Sequence, residues 1–242
     1  MSEQHGLPRP SESTAVIVGV GPGLGLALVN AFAQQGYTVL AAARGAGAAR
    51  LKFETGSGRV MPQRCDATDP EQVEALFAEA EAHGPVAAAV FNAGTFDRGT
   101  VVDTAPADFE RCWRVGCFGG FLVGQAAARR MLERGAGTIL FTGATASLRG
   151  GAGFVNLASP KFGLRAVAQS LARELAPRGV HVAHVIIDGQ IRSERYAHLG
   201  AERGPDSLLE PEAIAAAYVS LHRQPRSAWT HELDLRPWVE KF

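Results

Sequence analysis

The chain has 242 residues, and its 24 lysine and arginine side chains are balanced by 24 aspartate and glutamate side chains. This length predicts one domain or two small ones, and zero net charge argues against a general nucleic-acid binder or a basic membrane-surface protein. The three cysteines, Cys65, Cys112 and Cys117, form no CxxC pair. They favour reduced thiols in a cytoplasmic protein over a disulfide framework or a zinc site.

The N-terminal segment is polar and contains prolines, without the basic start and apolar core of a signal peptide. No apolar run approaches the roughly 18 residues of a membrane span. We therefore expect residues 1–12 to form a flexible tail and residues 13–242 to form a single domain.

Apolar, β-rich runs alternate with helical patterns along the whole chain. In chain order the predicted elements are strand Ala15–Val18, helix Gly23–Gln35, strand Tyr37–Ala43, a short helix Ala46–Phe53, strand Arg59–Gln63, a helix beginning at Pro70, strand Val86–Phe91, a long helix Pro106–Arg134, strand Thr138–Thr142, helix Val155–Ala176, strand Val180–Ile187, helix Glu210–Arg223 and strand Glu232–Leu235. Strands without polar alternation are buried on both faces, which is typical of a parallel sheet covered by crossover helices. The pattern predicts an α/β fold with a doubly wound parallel sheet, a Rossmann fold in one domain.

A glycine-rich turn joins the first strand to the first helix. It reads Gly19-Val20-Gly21-Pro22-Gly23-Leu24-Gly25. Glycines allow a tight turn, a close approach of the backbone to a pyrophosphate and close packing of the helix on the sheet. The helix N-terminus then offers free N–H groups to the phosphates. The position between a strand and a helix favours nucleotide binding over a turn without a ligand.

The end of the second strand indicates which nucleotide binds. An acidic residue there would favour NAD(H), but the chain reads Ala43-Arg44. Arg44 can hold a 2′-phosphate with two N–H groups, so NADP(H) is favoured over NAD(H), with an ordinary solvated arginine as the alternative. Asp66 follows the third strand. Two roles remain open for its carboxylate, a hydrogen bond to the adenine amino group or the capping of a loop. Asn92, Ala93 and Gly94 follow the fourth strand, at the sheet edge where ligands bind.

These residues resemble the short-chain dehydrogenase/reductase family. The resemblance rests on the glycine spacing, the Asn92-Ala93-Gly94 tripeptide, Lys161 in the helix after the fifth strand, and the length. It covers about residues 14–236. It implies a Rossmann fold, a nicotinamide cofactor, a small-molecule substrate and a homodimer or homotetramer.

The resemblance also implies a catalytic unit of Asn, Ser, Tyr and Lys, and this sequence departs from it. In that family the Tyr and Lys stand four residues apart, the phenol transfers a proton, the Ser polarises the substrate oxygen and the Asn holds a relay water. Here Leu157 stands four residues before Lys161, Ala144 stands at the serine position and Gly116 at the asparagine position. We therefore expect a divergent member that keeps only Lys161.

Few other residues are candidates to replace the missing groups. Thr145 and Ser147 carry hydroxyls in the loop after the fifth strand. Two roles remain open for each hydroxyl, a contact with the substrate oxygen or a hydrogen bond to the backbone. Tyr196 lies in the segment 188–205, the mobile substrate loop of the family. We expect Lys161 to bind the hydroxyls of the nicotinamide ribose. His181 and His184 face opposite sides of a strand, and we expect no metal site.

Two functions remain open at this point. One is an NADP(H)-dependent oxidoreductase acting on an unidentified carbonyl or enoyl compound without the usual tyrosine; dienoyl-CoA reductases are relatives that lack it. The other is a non-catalytic NADP(H)-binding scaffold or redox sensor.

Overall fold

In the computed structural model, residues 7–45 and 47–241 are described, and seven parallel strands within them form one sheet. The strands are β1 (Thr14–Val18), β2 (Thr38–Ala43), β3 (Arg59–Arg64), β4 (Val86–Phe91), β5 (Gly137–Thr142), β6 (Val180–Ile187) and β7 (Glu232–Leu235). Their order across the sheet is β3-β2-β1-β4-β5-β6-β7. Because the order reverses between β1 and β4, the carboxyl ends of these two strands frame the crevice where doubly wound sheets bind ligands.

Helices cover both faces of the sheet, as the apolar strands predict. They are α1 (Leu24–Gln34), α2 (Pro70–Ala82), α3 (Pro106–Trp113), α4 (Gly119–Arg134), α5 (Val155–Leu175), α6 (Ala197–Arg203) and α7 (Pro211–His222). One apolar core lies between the sheet and α1 with α7, and the other lies between the sheet and α2, α4 and α5. Every residue of β1, β4, β5 and β6 is buried, which confirms the predicted doubly wound fold.

Two local predictions need correction. The long helix predicted for Pro106–Arg134 is interrupted by a π-helical turn at Arg114–Phe118, which adds one residue to the turn and separates α3 from α4. The helix predicted for Ala46–Phe53 is only a 3₁₀ turn at Ala48–Arg50, and Ala46 lies outside the described residues. The backbone turns extended at Leu51, and Leu51 and Phe53 pack against the core from this extended segment.

The expected N-terminal tail is described only from residue 7 onwards. Pro10–Glu12 form a 3₁₀ turn, and the Ser13 hydroxyl donates a 2.6 Å hydrogen bond to the Arg9 carbonyl. Residues 1–6 lie outside the described part of the chain. Among the described residues, the helices are all too short or too polar to cross a lipid bilayer.

Candidate active site

The glycine-rich turn has a backbone that only glycine allows at two positions. Gly19 has a φ of +95°, and a Cβ there would lie 2.3 Å from the Ala93 nitrogen. A Cβ on Gly25 would lie 2.7 Å from the Gly19 carbonyl oxygen. The Asn92 side-chain amide also donates a 3.0 Å hydrogen bond to that carbonyl. The first turn, the Asn92–Gly94 tripeptide and α1 are therefore packed against one another as one unit.

The other glycines of the turn border open space. A Cβ on Gly21 or Gly23 would meet no atom within 4 Å. Helix α1 begins directly behind them, with no side-chain cap and no acidic residue in its first turn, whereas Asp69 caps α2. Free N–H groups and the positive end of the α1 dipole are thus available for an anion.

A cleft of about 230 Å³ lies above the carboxyl ends of β1, β2 and β4. Its lining residues are Val18, Gly19, Val20, Gly21, Ala43, Arg44, Cys65, Asp66, Ala67, Thr68, Asn92, Ala93, Gly94 and Val115. Seven of the predicted cofactor-binding residues therefore meet in one place. Gly23 borders a separate groove between α1 and α7, and Leu24 is buried in the core. Gly23 and Leu24 therefore shape the turn and do not line the cleft.

The two polar residues predicted for the adenosine end differ in their contacts. Arg44 is exposed, and within the described residues it makes no hydrogen bond or ion pair. Asp66 Oδ1 accepts hydrogen bonds from the backbone N–H and the hydroxyl of Thr68, at 2.9 and 2.8 Å. Asp66 therefore acts as a loop cap in the structure, and its contact with adenine stays a prediction.

Lys161 lies on α5 beneath the same edge of the sheet. Its Nζ donates a 2.6 Å hydrogen bond to the Thr142 carbonyl at the end of β5 and lies 4.0 Å from where a Cβ would stand on Gly94. It pairs with no carboxylate among the described residues, and burial lowers the pKa of Lys161 from 10.5 to about 8. A buried lysine without a counter-ion is costly, so the arrangement indicates a ligand that binds this ammonium.

This pKa shift predicts how the stability of the ligand-free protein depends on pH. Between about pH 8 and pH 10.5 the unfolded chain holds a proton on Lys161 that the folded chain releases. The contribution of Lys161 to folding stability therefore rises with pH across this window, by on the order of 3 kcal/mol. We expect urea denaturation of the wild type and of Lys161→Met to give a stability difference that changes in this direction. A difference that is constant from about pH 7 to pH 10 would contradict the burial of the ammonium.

Comparisons with known proteins agree with this geometry. The sequence model of the family described as short chain dehydrogenase matches residues 13–203. The 3-oxoacyl-(acyl-carrier-protein) reductase MabA of Mycobacterium avium is 31% identical over 191 residues, which cover 78% of this chain and 71% of that relative. The 3-oxoacyl-(acyl-carrier-protein) reductase of Mus musculus is 29% identical over 192 residues, covering 79% and 80%. The solved structure of a short-chain dehydrogenase from Rhodopseudomonas palustris is 40% identical, with a TM-score of 0.81 over 96% of this chain and 100% of that one.

The chain belongs to the short-chain dehydrogenase family. It is an oxidoreductase of that family by its sequence and by its fold. Within its described residues there is no group of three or more His, Cys, Asp and Glu side chains able to hold a metal ion.

In this short-chain dehydrogenase, α5 packs closely against the π-helical turn and fills the space beside Gly116. A Cβ on Gly116 would lie 2.9 Å from Pro160 Cβ, and a Cβ on Gly163 would lie 2.6 Å from Cys117 Sγ. Pro160 is buried and stands directly before Lys161. The Pro160 ring therefore leaves no room for a side chain at position 116.

The two hydroxyls predicted as replacement groups lie in different surroundings. Ser147 is fully buried; its Oγ accepts a 3.1 Å hydrogen bond from the Ala144 N–H and lies 3.4 Å from His184 Nε2. Thr145 is partly exposed, and its hydroxyl donates a hydrogen bond to Asp188. Of these two hydroxyl-bearing residues, only Thr145 has exposed surface.

The structure also shows contacts that the sequence analysis missed. The Tyr218 hydroxyl lies 2.8 Å from Thr142 Oγ1, although α7 and β5 are far apart in sequence. Burial raises the pKa of Tyr218, and the ring has no exposed surface. Tyr218 thus supports the end of β5 from below and does not face the cleft. Tyr196 lies on a 3₁₀ turn of the segment 188–205, with the Arg195 guanidinium over its ring.

Proposed function

We propose that this chain is an NADP(H)-dependent oxidoreductase that works without the tyrosine, serine and asparagine of its family. The observation that carries the proposal is Arg44, an arginine with no partner among the described residues, at the edge of a glycine-lined cleft. It directly follows Ala43, where an acidic residue would favour NAD(H). A guanidinium binds a phosphate with two parallel N–H groups, so this position favours a 2′-phosphate.

The other residues of the cleft suit the remaining parts of the dinucleotide. The open side of Gly21 and the N-terminus of α1 suit the pyrophosphate. Asp66 suits the adenine amino group, and Lys161 suits the hydroxyls of the nicotinamide ribose. When bound, the nicotinamide supplies or accepts the hydride. The protein itself has to orient the substrate and exclude water.

The side chains at the reacting end are apolar. Leu157, Ala144 and Gly116 stand where the family has its tyrosine, serine and asparagine, and none of them can transfer a proton. Loss of a positioned acid costs roughly 10²–10⁴ in rate. The substrate proposed is a small carbonyl or enoyl compound. The names of the relatives, 3-oxoacyl-(acyl-carrier-protein) reductases, support a carbonyl compound. Reduction of a conjugated C=C bond would depend less on the missing acid.

We expect Arg44→Ala to weaken NADPH binding by about 1.5–3 kcal/mol, the size of a hydrogen bond to a charged group. NADH binding should hardly change, because NADH lacks the 2′-phosphate. Isothermal titration of both dinucleotides measures the effect. Arg59→Ala is the matched control, because Arg59 is an exposed arginine at the opposite end of the neighbouring strand β3. A wild-type preference for NADH, or an equal loss for both dinucleotides, would refute the assignment of Arg44.

Turnover decides between the oxidoreductase and a non-catalytic binder. The test is NADPH oxidation against a panel of ketones, aldehydes and enoyl thioesters, run beside the binding titration. Dinucleotide binding with turnover of a panel member supports the enzyme. Tight binding without turnover of any compound favours the scaffold or redox sensor, which the apolar residues around Lys161 would also suit.

We also propose a homodimer or homotetramer through α3, α4 and α5. The small residues Gly116, Gly119, Gly120 and Gly163 of this helical region pack against residues of their own chain. The exposed aromatic side chains of the three helices, Phe109, Trp113, Phe121 and Phe162, support the interface instead. We expect light scattering at micromolar concentration to show an oligomer that Phe121→Glu dissociates. Val102→Glu, on an exposed loop, is the control. A monomeric wild type would contradict the proposal.

A further inference from the structure

Asp188 is a buried carboxylate for which the proposed function has no role. It directly follows β6, and only 4% of its surface is exposed. Its Oδ1 accepts the hydrogen bond from the Thr145 hydroxyl, and its Oδ2 lies 3.3 Å from an Arg236 guanidinium nitrogen. Thr145 follows β5, the neighbouring strand, so both residues lie at the carboxyl edge of the sheet beside Lys161.

The direction of the hydrogen bond between Thr145 and Asp188 is fixed by chemistry. Asp188 is paired with the Arg236 guanidinium, and carboxylate oxygens only accept hydrogen bonds, so the single hydroxyl proton of Thr145 points towards Asp188. The lone pairs of Thr145 Oγ1 remain for another partner. Thr145 therefore accepts a hydrogen bond from a ligand and cannot donate one to a carbonyl oxygen.

The surrounding side chains offer no competing hydroxyl donor. Of the three hydroxyls between positions 142 and 147, Thr142 is bonded to Tyr218 and Ser147 is fully buried. Ala144 and Leu157 have no polar side-chain atom. The accessible hydroxyl of this loop is thus an acceptor, which suits an alcohol and does not suit a ketone.

We propose that Thr145 and Asp188 form a hydrogen-bond acceptor pair that selects a hydroxyl-bearing substrate, with Asp188 as the positioning residue. This inference rests on the proposed oxidoreductase and narrows its substrate to an alcohol and carbonyl pair, bound preferentially as the alcohol. In alcohol oxidation the substrate carbon would lose a hydride to an oxidised nicotinamide dinucleotide bound in the cleft, and the C–O bond would become a C=O bond. The hydroxyl proton passes to Thr145 Oγ1 while the proton of Thr145 passes to Asp188 Oδ1.

The test compares the binding of cyclohexanol and cyclohexanone by ligand-observed NMR competition, with NADP⁺ and without any dinucleotide. We expect the wild type to bind the alcohol about ten-fold more tightly than the ketone. A factor of this size corresponds to one hydrogen bond to Thr145 Oγ1, an acceptor polarised by the Asp188 carboxylate. Thr145→Ser should keep this ratio, and Thr145→Val should bring it close to one. Asp188→Asn should also bring it close to one, because an amide can donate to Thr145 and turn its hydroxyl towards the ligand.

The control is Asp234→Asn, because Asp234 is the other carboxylate that pairs with Arg236 and does not contact Thr145. It should leave the ratio unchanged. If Asp188→Asn does not fold, Thr145→Val carries the test, since it replaces only the hydroxyl with a methyl group. Equal or tighter binding of the ketone, binding of neither probe, or a ratio that Thr145→Val leaves unchanged overturns the proposal. Failure of NADP⁺ to bind refutes the proposed function alone, and the dinucleotide-free measurement still tests the pair.

Discussion

Leu157→Tyr combined with Ala144→Ser is expected to create or raise carbonyl reductase activity in this protein. The new phenol would stand one helical turn before Lys161, on the same face of α5, and the new hydroxyl would stand at the end of β5. A positioned acid contributes roughly 10²–10⁴ to the rate. The measurement is NADPH oxidation with simple ketones. Leu157 is partly exposed, which leaves space for a ring, and overpacking would cost about 1–3 kcal/mol of stability.

The matched control is Leu157→Phe with Ala144→Ser, which adds the ring without the phenolic hydroxyl. It should fold like the tyrosine variant and show no gain in ketone reduction. Thermal unfolding of both variants is checked first. Ketone reduction by the wild type at ordinary dehydrogenase rates would show that Leu157 does not stand at a site of proton transfer.

Gly116→Asn, which places in the π-helical turn the asparagine that the family resemblance implies, is expected to destabilise the protein. Its Cβ alone would lie 2.9 Å from Pro160 Cβ, closer than side-chain carbons pack, so α5 or the turn has to shift. Overpacking of this kind costs about 1–3 kcal/mol. Urea denaturation of Gly116→Asn against the wild type measures the loss.

A double-mutant cycle with Pro160→Gly isolates the contact. Removing the whole Pro160 side chain, with the Cβ that lies 2.9 Å from the new Cβ, opens the space and also restores a backbone N–H within α5. Gly116→Asn should therefore cost little stability in the Pro160→Gly background, with a coupling energy of about 1–2 kcal/mol. Gly116→Ala in both backgrounds separates the Cβ clash from the amide group. Strictly additive effects of the two substitutions would contradict a packed contact between positions 116 and 160.

The sequence by itself determined the fold and the position of the cofactor cleft. The all-apolar strands predicted a parallel sheet, and all seven strands were located within one residue at each end. Strands β4, β6 and β7 matched at both ends. This worked because burial on both faces leaves a pattern within each strand, and because a phosphate-binding turn requires glycines at fixed local spacing. Gly19, Gly21 and Arg44 were found at the cleft for the same reason.

Only the tertiary structure decided where the long helix is interrupted and which group each hydroxyl is hydrogen-bonded to. The π-helical turn at Arg114–Phe118 packs against Pro160 of α5, a contact that no local pattern in the helix predicts. Thr145 was a candidate donor in the sequence, but its proton goes to Asp188, 43 residues further along the chain. Strand periodicity specifies which face a residue occupies, whereas the partner of a hydroxyl depends on which strands become neighbours. The direction of a single hydrogen bond is therefore set by the assembled sheet.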